Sequence, residues 1–435
     1  MDKLKKEQGK DIIAAISTPI GKGAIGCVRI SGEGSAKIVE KLTGKKFNIE
    51  KHALMTPCTF NGRIKDRIMA VVYFGKNSYT GEESAELYFH GGKLLIEQGL
   101  LSVIDMGARI AEPGEFTRRA FLSGKIDLTQ AEGIIDLIDG DSVMMIDEAY
   151  EQSEGKTRKA LEEIFENIKK TAAKAEVCID YPEEDIEEST AEEIKAAIED
   201  VIKDIKKEID GYDGGRIRRE GLRITLTGKT NAGKSTLFNT ILGCDRAIVS
   251  DEAGTTRDTI EEKFSYKGVG IVITDTAGIR ETDSAVERMG IERSMEAAKR
   301  ADLTVHVKRR ENKDEKVNGA IEVINEFGKC GKSEEEEITL NAKTGENVEK
   351  LLDAIYGKAA EITKESGCIN NPRQYASLVE AKKHLERAHN AVDTLTLDCV
   401  CSDLLSALDC VGRVTGKKAS DEVIDEIFSR FCVGK

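Results

Sequence analysis

Eight mid-chain residues, Gly228-Lys229-Thr230-Asn231-Ala232-Gly233-Lys234-Ser235, carry the densest chemistry in the sequence. They follow the apolar run Leu222-Arg223-Ile224-Thr225-Leu226 and precede the helix-compatible Thr236-Leu237-Phe238-Asn239. The pattern G-x-x-x-x-G-K-[ST] between a strand and a helix makes a phosphate cradle. Its glycines let backbone N–H groups converge, its lysine reaches the outer phosphates, and its hydroxyl ligates Mg²⁺. The helix N-terminus adds its dipole to the same anion site. Lys234 and Ser235 are expected in those two roles, with Asn231, Ala232, Gly233 and Thr236 lining the nucleotide.

The motifs downstream come in the order a GTP hydrolase requires. In Gly254-Thr255-Thr256-Arg257-Asp258, Thr256 is expected to close over the γ-phosphate and give Mg²⁺ a second hydroxyl. The apolar run Ile271-Val272-Ile273-Thr274 then ends in Asp275-Thr276-Ala277-Gly278, where Asp275 would hold the metal through water and the Gly278 N–H would meet the γ-phosphate. Asn341-Ala342-Lys343 follows the strand-like Ile338-Thr339-Leu340 and resembles the Ser-Ala-Lys element that contacts guanine. Residue 279 is Ile, where many signalling GTPases carry the glutamine that orients water. Glu287 is the candidate for that task; a solvated helix-face carboxylate is the competing reading.

The base-selecting element, usually Asn-Lys-x-Asp after a buried strand, is irregular. The preferred candidate is Asn312-Lys313-Asp314-Glu315, with its aspartate one residue early. The other, Asn325-Glu326-Phe327-Gly328, lacks both Lys and Asp. On this reading the chain is shortened before Asn312, over 307–315.

Positioning such motifs takes a P-loop sheet with helices, expected over 215–365. Around it, 1–120 reads as mixed α/β, with strand-like Asp11 to Ile16, Gly26 to Ile30 and Glu86 to His90. Residues 121–214 and 366–435 carry apolar positions at helical spacing. Tyr212-Asp213-Gly214-Gly215 reads as a linker into the nucleotide domain. The fold class expected is therefore multidomain α/β + α, with the nucleotide domain inserted into one discontinuous helical domain. The length of 435 residues accommodates two or three domains.

The net charge of −14 argues against a surface coated throughout by nucleic acid. Local basic groups are present. Arg216, Arg218, Arg219 and Arg223 form one, and Lys22, Arg29, Arg118, Arg119 and Lys125 another; each is either an RNA contact or ordinary surface charge. Acidic runs at 182–188 and 334–337 would repel RNA. The ten cysteines lack C-x-x-C pairs, which argues against a disulfide framework, and Cys399 and Cys401 read as buried thiols. No apolar stretch of about 18 residues and no signal-type h-region is present, so a cytoplasmic protein with no membrane partner is expected.

Further motifs widen the picture: Arg29-Ile30-Ser31-Gly32, Tyr79-Thr80-Gly81-Glu82, His90-Gly91-Gly92, Ala111-Glu112-Pro113-Gly114-Glu115-Phe116-Thr117, Gly124-Lys125-Ile126-Asp127-Leu128, and the terminal Phe431-Cys432-Val433-Gly434-Lys435. With Asn231 to Ser235 and Gly254 to Asp258, these resemble the MnmE/TrmE family of tRNA-modification GTPases over nearly the whole chain. The resemblance implies a tetrahydrofolate-binding N-terminal domain, a central helical domain and an inserted Ras-like GTPase domain. It implies a homodimer working with an MnmG/GidA-type FAD flavoprotein that uses NADH. Together they would place an aminomethyl or carboxymethylaminomethyl group on C5 of the wobble uridine of certain tRNAs, the carbon coming from 5-formyl- or 5,10-methylene-tetrahydrofolate. By motif, Arg29, Glu86, Lys125 and Lys435 would line the folate site, and Cys432 would take part in one-carbon chemistry or serve only as a small hydrophobe. The family also implies K⁺ held by Asn231, Ser250, Glu252 and Thr255 in place of an arginine finger. Two other functions stand against this one: a GTP-regulated assembly protein of the ribosome-maturation type, and a degenerate copy whose irregular base element binds GTP weakly.

Overall fold

In the computed structural model the described residues are 11–47, 52–60, 64–180, 188–229, 231–244, 248–249, 261–275, 300–312, 317–326, 337–394 and 396–435. They form two compact units, one of residues 1–135 with 412–435 and one of 136–411.

The first unit is built on a six-stranded sheet of order β3-β4-β5-β2-β1-β6. Its strands are β1 (Ile12–Ile16), β2 (Ile25–Ser31), β3 (His52–Phe60), β4 (Ile64–Tyr73), β5 (Ser84–His90) and β6 (Ala108–Ile110). Strand β2 alternates in register against β5, so Val28, Ile30, Ala85, Leu87 and Phe89 enter the core beneath helices α1 (Ser35–Thr43) and α2 (Lys93–Asp105). Helix α3 (Glu115–Leu122) and the final helix α13 (Asp421–Ser429) share a second apolar cluster through Phe121, Ile424, Ile427, Phe428 and Phe431.

The second unit combines long amphipathic helices with a nucleotide-type sheet of order β13-β12-β11-β7-β10-β9-β8. Its central strands β7 (Leu222–Thr227), β10 (Val269–Asp275), β11 (Leu303–Lys308), β12 (Ile321–Asn325) and β13 (Ile338–Leu340) are mutually parallel. Strands β8 (Ile248–Val249) and β9 (Glu261–Tyr266) add antiparallel pairings at one edge. By register Leu222, Ile224, Leu226, Ile271, Ile273, Val305, Val307 and Val323 share one buried apolar face, while Thr225, Thr274 and His306 are buried on the other.

The expected linker at 212–215 is instead the start of helix α8 (Tyr212–Glu220), after α4 (Leu128–Asp139), α5 (Val143–Ser153), α6 (Lys156–Asp180) and α7 (Glu188–Asp210). Its glycine pair serves contact rather than flexibility: a Cβ on Gly215 would lie 2.3 Å from the Ile369 carbonyl oxygen. Close by, the Gly367 N–H donates to Gly211 O at 3.0 Å, so the segment 211–367 begins and ends at one place. After α9 (Lys234–Leu242) and α10 (Val348–Thr363), the chain returns to the helical layer as α11 (Pro372–Ala391) and α12 (Leu397–Thr415). Asn371 caps α11 by accepting the Gln374 N–H, with Pro372 at its first turn.

The four arginines preceding the sheet are engaged in ion pairs. Arg216 pairs with Asp302, Arg218 with Glu148 (2.9 Å), Arg219 with Asp136 (2.6 Å) and Arg223 with Glu220 (2.8 Å). In the first unit Arg118 pairs with Asp425 and Arg119 with Glu115, Asp11 and Glu82. Their arrangement follows structural acids, not a basic stripe. Glu337, from the second acidic run, is buried against Lys308.

Candidate functional site

The phosphate loop lies where its chemistry needs it, between the end of β7 and the first residue of α9. Gly233 sits at φ 96°, and a Cβ there would fall 2.0 Å from the Asn325 amide nitrogen. Only glycine fits a left-handed position so closely approached. Lys234 is buried, and its Nζ donates to the carbonyl oxygens of Gly228 (2.8 Å) and Lys229 (3.0 Å), folding the side chain back over its own loop. An anionic phosphate at the cradle would compete with these two carbonyls for the ammonium on favourable terms. Ser235 and Thr236 are exposed at the mouth of the helix. Asp275 ends β10, opposite Leu226 of β7. The residue types present, a buried lysine at the start of a helix and an exposed serine hydroxyl beside it, fit a phosphate with its Mg²⁺.

The two base-side candidates sit in different settings. Asn312 ends a 3-10 turn, Arg310–Asn312, that lies between β11 and β12, four residues past the end of β11. Asn325 is the last residue of β12. The buried Asn325 amide donates to Ala232 O in the phosphate loop (2.9 Å) and accepts from the Ala342 N–H (3.0 Å). One side chain thus ties the phosphate loop to the 341–343 loop. Asn341 shapes its own loop by accepting the Lys343 and Thr344 N–H groups at 3.0 and 3.2 Å. The sequence reading ranked Asn325 second because Glu326 and Gly328 stand where Lys and Asp were sought; the buried strand that ends in it is the signal in its favour. Ser250, Glu252, Gly254, Thr255, Thr256, Thr276, Ala277, Gly278, Glu287, Lys313 and Asp314 lie outside the described residues.

A second constellation sits in the first unit. Arg29 on β2 and Glu86 on β5 are direct register partners, and their side chains pair at 2.9 Å. Glu86 also accepts from the Tyr88 hydroxyl (2.5 Å), and Tyr73 approaches it at 3.5 Å. The Arg29 guanidinium lies 5.2 Å from the Tyr79 ring centroid and 5.8 Å from that of Phe116. Arg29, Tyr73, Tyr79, Thr80, Ser84, Glu86 and Phe116 line a cavity of about 190 Å³. Burial and the Glu86 carboxylate together push the phenols of Tyr73 and Tyr88 up, and the neighbouring Cys27 thiol is pushed up to about 12 by burial first and Glu86 second.

The C-terminal tail closes this region. Val433 bridges to Pro113, the Phe116 N–H donates to Lys435 O (3.2 Å), and the Ser17 hydroxyl donates to Gly434 O (3.1 Å). Gly434, at φ 100°, passes so near β1 that a Cβ would lie 2.4 Å from Ile16 O. Burial, and then the nearby Arg29 charge, lower the Lys435 pKa. No ion pair joins Lys435 to a carboxylate among the described residues. Arg29, Glu86 and Lys435 are thus brought together. Lys125 is held instead at the 76–78 turn, donating to the carbonyls of Ser78 and, at 3.4 Å, Lys76. Cys432 is exposed, as is Cys399, which the sequence reading had placed inside; Cys401 is buried as expected.

Family models match the stretches that carry both constellations. The family profile "GTP-binding protein TrmE N-terminus" matches residues 12–125, and "MnmE helical domain" matches 128–432. The chain is 38% identical over 457 residues to "tRNA modification GTPase MnmE" of Clostridioides difficile (strain 630), covering 98% of this chain and 99% of that protein. It is 38% identical over 451 residues to the protein of the same description from Thermotoga maritima, covering 98% of this chain and all 100% of the other. Among solved structures, the G domain of the T. maritima FeoB iron transporter covers 32% of this chain and 98% of that one at 24% identity, with a TM-score of 0.23, an overlap too slight to define the fold. By these full-length matches the chain belongs to the MnmE family of tRNA modification GTPases and is a GTPase acting in tRNA modification.

Proposed function

We propose that this GTPase works with an FAD- and NADH-using flavoprotein of the MnmG/GidA type to build an aminomethyl or carboxymethylaminomethyl group on C5 of the wobble uridine of certain tRNAs. The carbon comes from 5-formyl- or 5,10-methylene-tetrahydrofolate. The observation that carries the reading is an aromatic-walled cavity lined by the Arg29–Glu86 pair, with the C-terminal tail bonded to Phe116 of its wall through Lys435 O. At about 190 Å³ it is smaller than the ~300–1,000 Å³ of sites that engulf whole ligands, so it suits the pterin ring, with the glutamate tail outside. Glu86 presents acceptors to pterin N–H groups, and Lys435 a cation to a carboxylate. Lys125 serves at the rim. Cys432, exposed beside Lys435, is available to the same chemistry.

The domains we assign are 1–120 for folate, 121–214 with 366–435 as the helical body, and 215–365 as an inserted GTPase domain. The hydrogen bond between Gly367 and Gly211 supports insertion, since both crossings fall at one point. Ser235 and Thr256 hold Mg²⁺, with Asp275 behind water. Asn231, Ser250, Glu252 and Thr255 hold K⁺, which supplies positive charge to the phosphates during hydrolysis. Glu287 orients the attacking water once two GTPase domains of a homodimer meet. Asn325 replaces Asn312 on the base side, with the 341–343 loop carrying guanine recognition. Among the described residues no helix is long and apolar enough to cross a membrane, which fits a cytoplasmic enzyme.

The test has two arms. Calorimetry with GTP, ATP and XTP should find GTP preferred; absence of GTP binding would favour a degenerate copy. Reduced folate should bind the wild type and not the R29A variant, and purified flavoprotein, tRNA and folate should yield modified uridine. GTP binding without folate binding would favour an assembly GTPase. Hydrolysis should run faster in K⁺ than in Na⁺, and equal rates would remove the potassium role.

A further inference from the structure

Within the phosphate loop one backbone position is held unusually. Asn231 sits at φ 63°, a left-handed conformation. For a residue other than glycine this costs on the order of 1 kcal/mol and persists where neighbours enforce it. Its carbonyl oxygen receives two N–H groups from Arg309, Nε at 3.0 Å and Nη2 at 2.6 Å. Arg309 directly follows β11, whose last residue, Lys308, is buried with its ammonium between Glu322 (3.2 Å) and Glu337 (2.8 Å). The next residue, Arg310, pairs with Glu326 at 3.1 Å, just beyond Asn325. The backbone that carries Arg309 is therefore pinned on both sides, and its guanidinium comes from a fixed platform.

We propose that Arg309 is a positioning residue for nucleotide binding. Its forked donors hold Asn231 left-handed, which keeps the amides of the loop converged on the phosphate position before nucleotide arrives. Arginine suits the task, because its planar fork directs two N–H groups at one oxygen and its charge is constant over physiological pH. Arg309 acts through the Asn231 backbone. It supplies, from the end of β11, a cationic tie to the loop in a chain whose residue after Asn325 is the acidic Glu326. Pre-forming the loop removes an ordering cost that nucleotide would otherwise meet on binding.

The experiment is a double-mutant cycle read by fluorescent GDP affinity in potassium-free buffer, where any K⁺ role of Asn231 is silent. Glycine populates left-handed φ without help, so N231G should abolish the need for Arg309. R309A in the native background should weaken GDP binding about tenfold, and in the N231G background by no more than about twofold. Equal losses in both backgrounds would overturn the proposal, because Arg309 would then act on the nucleotide directly. No loss in either background would overturn it as well. R309K keeps the charge but not the fork and should lose about threefold, again only when Asn231 is present. If R309A fails to fold by thermal melting, the R309K cycle decides the question alone.

Discussion

The phosphate cradle and the N-terminal cavity hold their cations in opposite ways. Two contacts of Lys234 are carbonyls of its own loop, while Arg29 is paired with the Glu86 carboxylate. A phosphate arriving at the cradle would draw the Lys234 ammonium from those carbonyls. The cavity presents a fixed donor–acceptor pair that a ligand reads without rearranging, and leaves Lys435 as the group available to an anion. One site is built to switch between ligand states; the other is built to hold a shape.

The largest effect should come from the cation that moves. Lys234→Ala should weaken GTP binding by about 30-fold to 1,000-fold, the range for removing one partner of a buried charge contact. Binding of 5-formyl-tetrahydrofolate should be unaffected; a matching loss there would break the comparison by showing the two sites to be one energetic system. Titration with fluorescent nucleotide and calorimetry with folate measure the two arms.

Next is the tail. Gly434→Ala strains a left-handed position and drives a Cβ to 2.4 Å from Ile16 O, so the tail must lift. Folate affinity should fall about 10- to 100-fold with GTP affinity unchanged. Retained folate affinity would mean that the tail lies beside the site without forming it.

The two regions also differ in how far the sequence discloses them. The phosphate loop is local: eight residues and two flanking elements define it, and each falls where the spacing requires. Asn325 is less legible, because its role depends on ending a strand between two loops, while the side chains that usually mark that position are absent. The glycine pair at 214–215 misleads for a related reason. Glycine marks a break in the local code, but here it admits the backbone near Ile369 inside a helix, a demand that only tertiary packing imposes. The cavity was visible only through family motifs. Arg29 and Glu86 meet by strand register, and Arg29 reaches Gly434 O across a separation of 405 residues, which no periodicity encodes.

A smaller effect tests the base side. Asn325→Ala deletes a buried amide that ties two loops and should cost about 1–3 kcal/mol in GTP binding, five- to 150-fold, whereas Asn312→Ala should change affinity less than about twofold. The reverse ranking would restore the sequence reading.

The smallest expected effect concerns pH and isolates Lys435. Burial and the Arg29 charge lower its pKa in the free protein, and a bound carboxylate would raise it again. The complex then holds more protons than the separate partners, so affinity is greatest below the lowered pKa and declines as pH rises through it. Folate affinity measured from neutral to alkaline pH should therefore fall in wild type and stay level in Lys435→Met. A slope that survives the substitution would assign the anion to another group, and the cavity would lose the free cation that distinguishes it from the cradle.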